Sequence, residues 1–359
     1  MLKKAAALFF VCASMATWVS CGSTSSRYVY AAIPASNEIV AYREDPNSGV
    51  LTQLVGSPIT AGSAVRSIVM HPSGKFLYAA NSGDGPPGDV SLFTISTTGA
   101  ITEVTPRTNV GTTPTLLAMD SAGSFLYVGN SISDDISVFS IDASTGALTA
   151  VAGSPFPIGL SPLNMQVSPS GGLLYVTGGG SPTGTVEVFS INQGFLTPLA
   201  PNTTFPTGSD PFGLVIASSG GFLYTANYLD NSISEFTINA DGSLTELSGS
   251  PIGETFVAPV ALLIDKSGAY LYVANQGSAN LAAYSIGSDG TLALLTTSPF
   301  TTGAGPGTMA SDPSGKYLFV GNQSTSVIQS FSLASSTGTL TSVATYSVPG
   351  TPTSIAITP

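Results

Sequence analysis

The sequence predicts an all-β chain folded as a seven-bladed β-propeller, and three observations carry this prediction. A short run of alternating aromatic and aliphatic residues occurs seven times, its aligned aromatic residues are 47 to 49 residues apart, and the two ends of the chain read as complementary strands. A repeat of this length with four strand-like pieces is typical of one propeller blade. The aligned aromatic residues are Tyr30, Tyr78, Tyr127, Tyr175, Tyr224, Tyr272 and Phe319.

Each repeat predicts a four-stranded antiparallel blade. The aromatic run, of which KYLFVGN at 316–322 is typical, is apolar on both faces, which indicates a strand packed between two neighbouring blades. A second alternating run follows, such as ISVFSID at 136–142, and then a Gly-containing turn and a short outer strand, such as ALTAV at 147–151. A strand that begins near a proline, such as SPLNMQV at 161–167, provides the inner strand.

The two ends of the chain predict how the ring closes. The first aromatic run, from Arg27, has no inner strand before it, and the inner-strand sequence TPTSIAITP at 351–359 has nothing after it. We therefore expect the last strand to complete the first blade beside residues 27–32. Closure of this kind removes free sheet edges, which are a general liability of β proteins.

Composition and charge exclude several classes of function. Charged residues are only 8% of the chain and the formal net charge is −11 with nine Lys and Arg in total, so no basic surface for nucleic acid can be assembled. The single histidine, His71, lies in an HPSG turn at the far end of its strand, which leaves no His-assisted serine triad and no histidine metal or haem site. Only Arg66 and Arg107 are expected near the channel mouth as cations. We expect a monomer.

Residues 1–20 predict a lipoprotein-type signal peptide. Lys3 and Lys4 form a positive start, residues 5–17 form an apolar stretch too short to span a bilayer, and a small-residue cleavage site ends at Cys21. The lipid-modified Cys21 would become the new N-terminus. Because the only other cysteine leaves with the signal, the mature chain can form no internal disulfide and no cysteine metal site.

The predicted signal peptide divides the chain into the signal at 1–20, a lipidated tether at 21–26 and the propeller at 27–359. It places the protein at the bacterial cell envelope, lipid-anchored on a periplasmic or extracellular face, with the membrane contacted only through the N-terminal lipid. Trp18 stands where such signals usually have Leu. A cleaved secretory signal without lipid and a retained membrane anchor are therefore kept as alternatives.

Five of the seven aromatic strands end in asparagine, and the adjoining loops are rich in aspartate. One interpretation is turn chemistry, since Asn tolerates the left-handed conformation and bonds its own backbone. The other is a ligand-binding rim, formed by the five asparagines with Asp134 and Asp135. Carboxylate and amide oxygens are the ligands that Ca²⁺ prefers, so this rim is a candidate Ca²⁺ site, with a solvated acidic rim as the alternative; no other cofactor is expected. The asparagines are Asn81, Asn130, Asn227, Asn275 and Asn322.

Three stretches carry a resemblance to a known family: HPSGKFLYAAN (71–81), ISVFSIDASTGALT (136–149) and DPSGKYLFVGN (312–322). Through them nearly the whole mature chain resembles the seven-bladed lactonase family, which includes bacterial 6-phosphogluconolactonase and fungal carboxymuconate-lactonizing enzymes. In those enzymes the inner strands bring His and Arg to the mouth of the central channel, typically as Gly-Pro-Arg-His. The corresponding stretch here is GSAVRSIVMHP, in which Arg66 matches and Ser67 stands where the His would be.

The sequence leaves two functions open, a binding or protein-interaction module of the envelope and a lactone hydrolase acting outside the cytoplasm. We predict the module, with a small molecule or an envelope protein bound at the channel mouth. A hydrolase needs a positioned base and oxyanion donors, for which the candidates are Arg66, Asp210 and Asp230. The other inner-strand positions at the mouth offer no such group; they are Thr115, Leu163, Phe212, Val260, Gly307 and Thr353.

Overall fold

A computed structural model of the protein describes residues 26–83, 85–180, 182–200, 204–253 and 255–359. These residues form seven antiparallel sheets and no α-helix, which confirms the predicted all-β propeller. Within the same ranges no helix is long and apolar enough to cross a membrane. The predicted signal peptide, Cys21 and most of the tether lie outside the described residues.

Strands are labelled in chain order, and a blade is built outward from an inner strand. The inner strands are β5 (Val65–Met70), β9 (Pro114–Met119), β14 (Pro162–Val167), β19 (Pro211–Ile216), β24 (Pro259–Ile264), β29 (Pro306–Ser311) and β33 (Ser354–Ile357). The second strands, which define blades one to seven in order, are β1 (Arg27–Ile33), β6 (Phe76–Asn81), β10 (Phe125–Asn130), β15 (Leu173–Gly178), β20 (Phe222–Asn227), β25 (Tyr270–Asn275) and β30 (Tyr317–Asn322).

The third and outer strands complete each blade in the same order. The third strands are β2 (Glu38–Glu44), β7 (Asp89–Ile95), β11 (Asp135–Ile141), β16 (Thr185–Asn192), β21 (Ser232–Ile238), β26 (Asn280–Ile286) and β31 (Val327–Ala334). The outer strands are β3 (Leu51–Gln53), β8 (Ile101–Asn109), β12 (Leu148–Ala150), β17 (Phe195–Pro198), β22 (Leu244–Glu246), β27 (Leu292–Leu294) and β32 (Thr339–Ser347).

The ring closes as the two ends of the sequence predict. The last strand, β33, pairs antiparallel with β1, from Val29 opposite Ile357 to Ala32 opposite Ser354. Beyond the ladder, the backbone N–H of Tyr28 donates to Oγ1 of Thr358 at 2.9 Å. Blade one is therefore assembled from both ends of the described chain.

The prediction of four strands per blade is incomplete, because five blades carry a short fifth strand beside the third strand. The extra strands are β4 (Ile59–Thr60), β13 (Phe156–Pro157), β18 (Thr204–Pro206), β23 (Ile252–Gly253) and β28 (Phe300–Thr301). In four of these blades a Ser-Pro pair interrupts the outer edge, where proline has no N–H for the ladder. The serine hydroxyl there accepts from a third-strand N–H at 2.8 to 2.9 Å: Ser57 from Ala41, Ser154 from Val138, Ser250 from Glu235 and Ser298 from Ala283.

Neighbouring blades are joined through the aligned tyrosines, whose side chains are fully buried. In five blades the tyrosine hydroxyl donates to the carbonyl of a glycine in the outer turn of the following blade. These glycines have φ between 68° and 91°, the left-handed region that favours glycine. The pairs are Tyr30 with Gly99, Tyr78 with Gly146, Tyr175 with Gly242, Tyr224 with Gly290 and Tyr272 with Gly338, at 2.7 to 3.0 Å.

Tyr127 is the exception, because its hydroxyl is buried without a hydrogen-bond partner in the described part of the chain. The turn it would meet, in blade four, is only Gln193 and Gly194, with φ values of 49° and 80°. A two-residue turn with two positive φ values is a tight type I′ hairpin. This hairpin shortens the outer turn of blade four. The turn therefore has no carbonyl in the place where the glycine carbonyls of the other blades accept from a tyrosine hydroxyl.

We expect the substitutions Tyr78→Phe and Tyr127→Phe to have different effects on stability. The first leaves the carbonyl of Gly146 buried without its donor and should lower the free energy of unfolding by about 1–3 kcal/mol. The second removes a hydroxyl that has no partner and should be neutral or stabilising. Urea unfolding of the two variants checks this, and an equal loss in both would contradict the assigned hydrogen bonds.

Candidate functional site

The mouth of the central channel lies at the end where the inner strands begin. Antiparallel pairing sets the first residue of an inner strand opposite the last residue of its second strand, as with Val65 and Asn81 in blade two and Pro259 and Asn275 in blade six. The loops between second and third strands therefore surround the mouth. This arrangement is the one expected for the predicted rim.

The five asparagines lie at this end but are fully buried, which differs from the exposed rim that the sequence led us to expect. Nor do they adopt the left-handed conformation assumed by the turn interpretation. Four of them donate through Nδ2 to side chains at the start of the third strand and so fix the loop from inside; Asn322 has no partner for either amide atom among the described residues. The acceptors are Asp89 and Ser91 for Asn81, Asp135 and Ser137 for Asn130, Ser232 and Ser234 for Asn227, and Asn280 for Asn275.

The two rim aspartates have different surroundings. Asp134 is exposed with a φ of 53°, whereas Asp135 is half-buried and its Oδ1 accepts from Asn130 at 2.6 Å. No group of three or more His, Cys, Asp or Glu that could hold a metal occurs within the described ranges, from which Asp84 is missing. A ligand role for Asp134 and Asp135, and the Ca²⁺ site, stay predictions.

A cavity of about 1120 Å³ runs along the channel. Five of the six inner-strand residues predicted at the mouth line it, and only Thr115 does not. The deeper wall is made of aliphatic side chains and methionines together with the polar side chains of Asn164, Gln166 and Thr308. The mouth residues in the lining are Leu163, Phe212, Val260, Gly307 and Thr353, and the deeper ones include Leu116, Met165, Leu214, Leu262 and Met309.

Three further residues line the mouth, namely Tyr228, Gln276 and Gln323. The sequence did not lead us to expect them there. Each directly follows the terminal asparagine of a second strand. The ring of Tyr228 packs edge-on against that of Phe212, with centroids 5.4 Å apart, and Phe212 is 37% exposed. Their shared position one residue after the asparagine was a usable signal, because that asparagine fixes where the loop turns over the channel.

The two glutamines form a bridged amide pair across blades six and seven. Nε2 of Gln276 donates to Oε1 of Gln323 at 3.0 Å. The amide of Gln323 lies over Gly307, where any Cβ would collide with it. A glycine is therefore needed at 307 for the side chain of Gln323 to occupy this position. Because Gln276 bonds to Oε1 of Gln323, the Nε2 group of Gln323 keeps its capacity to donate.

Asp210 and Asp230 lie in blade five on the two segments that carry the aromatic pair, although neither is among the residues that line the cavity. The backbone carbonyl of Asp210, which has a φ of 51°, accepts from the N–H groups of Phe212 at 2.9 Å and Tyr228 at 3.0 Å. Its Oδ1 accepts from Gly180 at 3.3 Å, and Oδ2 of Asp230 accepts from the N–H of Ser209 at 2.6 Å. Asp210 is half-buried and Asp230 is exposed.

Arg66, the third catalytic candidate, is not brought to the two aspartates. It is exposed on β5 of blade two, three blades away around the ring, and its backbone carbonyl accepts from Oγ1 of Thr353 at 2.7 Å. The expectation that Arg107 lies near the mouth is not met, because Arg107 is on the outer strand β8 with its Nε 2.7 Å from Oε1 of Glu103.

The remaining sequence candidates have structural surroundings. Oγ of Ser67, at the position of the family histidine, accepts from the N–H of Leu117 at 3.2 Å on the next inner strand. His71 is buried at the opposite end of its strand, where Nε2 donates to the carbonyl of Gly123 at 3.1 Å and Nδ1 accepts from Ser73. His71 therefore joins two hairpin turns, as its place in the HPSG turn indicated.

A model of the family described as "Lactonase, 7-bladed beta-propeller" matches residues 23–159, 158–254 and 250–357. The chain belongs to this lactonase family. A 6-phosphogluconolactonase of Formosa agariphila is 36% identical over 85 residues, which are 23% of this chain and 24% of that protein. The match thus spans about a quarter of that relative's length.

Two solved structures show the same fold. The fold of a putative 6-phosphogluconolactonase from Bacteroides fragilis matches with a TM-score of 0.81 over 94% of this chain and 99% of that one, at 23% identity. A periplasmic gluconolactonase from Pseudomonas aeruginosa matches with a TM-score of 0.78 over 93% and 99% of the two chains, at 19% identity. The propeller fold is common to all of them.

Proposed function

We propose that this propeller is a lactone hydrolase that binds a neutral lactone at the mouth of its channel. The observation that carries the proposal is the composition of the mouth: an aromatic pair, Phe212 and Tyr228, stands beside the amide pair of Gln276 and Gln323. Aromatic rings pack on the apolar face of a cyclic ester while amides bond its oxygens. The family membership supports hydrolysis as the use of such a site.

The chain offers candidates for the two groups that ester hydrolysis needs. Asp210 and Asp230 lie next to the aromatic pair and would serve as bases that activate water. Nε2 of Gln323 would donate a hydrogen bond to the lactone oxygen that becomes negative in the tetrahedral intermediate. Nε2 is the atom available for this, because Oε1 of the same amide already accepts from Gln276. Asp210 is the stronger candidate base, because its backbone is held in place by the hydrogen bonds that its carbonyl accepts from the N–H groups of both aromatic residues.

The charge of the site argues for a substrate without phosphate. None of the described residues that line the cavity is Lys or Arg. A phosphate bound there would be left without the charge-assisted hydrogen bonds that Arg and Lys provide. Arg66, on the other side of the mouth, would have to supply them alone.

We also propose that this protein is exported to the cell envelope. The Cys21 signal supports it from the sequence, and the relative from Pseudomonas aeruginosa is described as periplasmic. A neutral lactone outside the cytoplasm would then be the substrate, and the lipid would keep the propeller at the membrane.

A binding module without catalysis is the second candidate, and Ser67 is the observation that favours it. The hydroxyl that replaces the family histidine is engaged with the backbone of Leu117 rather than free to act. Such a module would bind the same neutral lactones at the mouth and release them unchanged.

We expect purified protein to hydrolyse unphosphorylated lactones, such as γ-butyrolactone and gluconolactone, faster than their spontaneous rate. Asp210→Asn should reduce kcat about 100-fold or more, because a general base typically contributes a factor of about 10²–10⁴, and asparagine tolerates the same left-handed backbone. 6-Phosphogluconolactone should not be turned over at an enzymatic rate. Release of acid, followed by pH-stat titration, measures all three.

Asp289→Asn is the control, since Asp289 is exposed in the outer turn of blade six, at the end of the blade opposite the mouth. It should leave the rate unchanged. Binding of neutral lactones without turnover would replace the hydrolase by the binding module. Turnover of the phosphorylated lactone, lost in Arg66→Ala, would overturn the assignment of a neutral substrate.

A further inference from the structure

Below the mouth, the wall of the channel that β24 forms is apolar throughout. On β24 the residues Val260 to Ile264 all line the cavity and all are half-buried rather than packed away. Leu214 and Met165 face the same space from blades five and four, and Met309 from blade seven. Asn164 and Gln166 on β14 and Thr308 on β29 add polar groups to the middle of the lining, and the far end includes Ser121, Ser168, Ser218, Asp265 and Ser311.

On the side of the cavity formed by blades six and seven, side-chain bridges between neighbouring inner strands are missing among the described residues. Elsewhere a polar side chain of one inner strand bonds the backbone edge of the next: Oε1 of Gln166 accepts from the N–H of Ile216 at 2.9 Å, and Oγ of Ser354 accepts from that of Ile68 at 3.1 Å. By strand register, the position of Gln166 is taken by Leu263 on β24 and Ala310 on β29. These apolar side chains form no such bridge, so the channel stays wide and apolar on this side.

We infer that the ligand of this channel is a lactone with an unbranched aliphatic chain. The ring occupies the mouth, between the aromatic pair and the glutamines, and the chain runs inward past Val260 and Leu262 toward Met309. This inference rests on the proposed function for the position of the ring. The chain itself is assigned by the apolar lining.

Size and chemistry both fit such a chain. An inner strand of six residues spans about 20 Å at about 3.3 Å per residue, so the channel is long enough for an extended alkyl chain. The cavity of about 1120 Å³ also exceeds what a small lactone ring would fill. A polyol in the same place would bury hydroxyls against the wall of Val260 to Ile264, which offers them no side-chain hydrogen bond.

The test is a series of γ-lactones with alkyl chains of increasing length, bound to the full propeller and measured by isothermal titration calorimetry. Affinity should rise about fourfold per added methylene, the fold-change that corresponds to about 0.8 kcal/mol. A parallel series in which the chain carries hydroxyls should show no such increase. An affinity that is flat from the shortest to the longest alkyl chain would overturn the inference.

The variant Leu262→Gln keeps the approximate size of the side chain but makes the wall polar, and Leu262→Met is its matched apolar control. We expect Leu262→Gln to weaken binding of the longest lactone at least tenfold and to leave the unsubstituted ring unaffected, whereas Leu262→Met should bind both as before. Thermal melts verify folding, and Met309→Gln repeats the test from blade seven if the first variant does not fold. Equal weakening of long and short lactones would contradict a chain in the channel.

The outcomes separate this inference from the proposed function. Affinity that grows with chain length without any turnover would support the aliphatic chain and remove the hydrolase. Turnover of short lactones with no dependence on chain length would support the hydrolase and remove the aliphatic chain.

Discussion

A chain that ends at Gly350 is expected not to form the native ring. Residues 351–359 contain β33, the inner strand of blade one, which pairs with β1 along Val29 to Ala32. Removing it exposes the edge of β1 and the buried side chains that Ile355 and Ala356 cover. Each large buried side chain is worth about 1.5–3 kcal/mol, so losing several approaches the whole stability of about 5–15 kcal/mol.

The strand also bonds to the inner strand of blade two, which makes the loss larger than one edge. Oγ1 of Thr353 donates to the carbonyl of Arg66, and Oγ of Ser354 accepts from the N–H of Ile68, both in blade two. We therefore expect aggregation on size-exclusion chromatography or a large fall in melting temperature. Removing only the exposed Pro359 is the control and should change neither. A truncated chain that melts like the full one would show that the ring closes by other contacts.

The repeat made the blades and their closure predictable, since each aromatic strand is buried on both faces and its pattern cannot fit a one-sided sheet. The local pattern could not distinguish the buried asparagines from exposed ones. Asn130 is held inside because Asp135 and Ser137 of the next strand accept from it, and that pairing depends on the register of two strands. The Ser-Pro breaks of the outer edge carried a readable signal, because the pair recurs at one place in four repeats.

The mouth was predicted in part. Counting from the proline that opens each inner strand placed Leu163, Phe212 and Val260 at the channel, because an inner strand keeps the same register in every blade. Gln276 and Gln323 were not found in this way. They lie on loops, and their pairing across two blades depends on the ring geometry, which no single repeat contains.

A buried carboxyl group at the junction of blades one and seven should make stability depend on pH. The side chain of Glu44 is 1% exposed, and neither of its oxygens has a hydrogen-bond partner among the described residues. Its nearest cation is Arg27, at 3.6 Å, but the same nitrogen of Arg27 lies 2.7 Å from Oδ2 of Asp312. Two buried carboxyl groups therefore share one guanidinium.

The charges around this pair favour the protonated form of Glu44. Burial away from water, followed by the carboxylate of Asp312, raises the pKa of Glu44 to about 7, and Arg27 offsets this only in part. Asp45, the next residue, adds a smaller effect in the same direction. Arg43 and Asp45 line the small cavity beside Glu44, and Tyr317 of blade seven also interacts with it.

The direction of the pH effect follows from this raised pKa. In the unfolded chain a glutamate titrates near pH 4.3, so between about pH 4.5 and 7 the folded protein holds a proton that the unfolded chain has lost. Stability must fall as the pH rises through this window, and the loss persists above it. The size is on the order of 3 kcal/mol for a shift of this extent.

Glu44→Gln should therefore stabilise the protein at pH 8 and have little effect at pH 5. The amide stays neutral at both values, so the variant avoids the cost of burying a second charge beside Asp312, and its unfolding free energy at pH 8 should exceed that of the wild type by up to about 3 kcal/mol. Urea unfolding at the two pH values measures the difference. Glu246→Gln, at an exposed position on β22, is the control and should stay within about 0.5 kcal/mol of the wild type at both. If Glu44→Gln instead destabilises the protein at pH 8, the ion pair with Arg27 outweighs the burial of the charge, and Glu44 is ionised in the native ring.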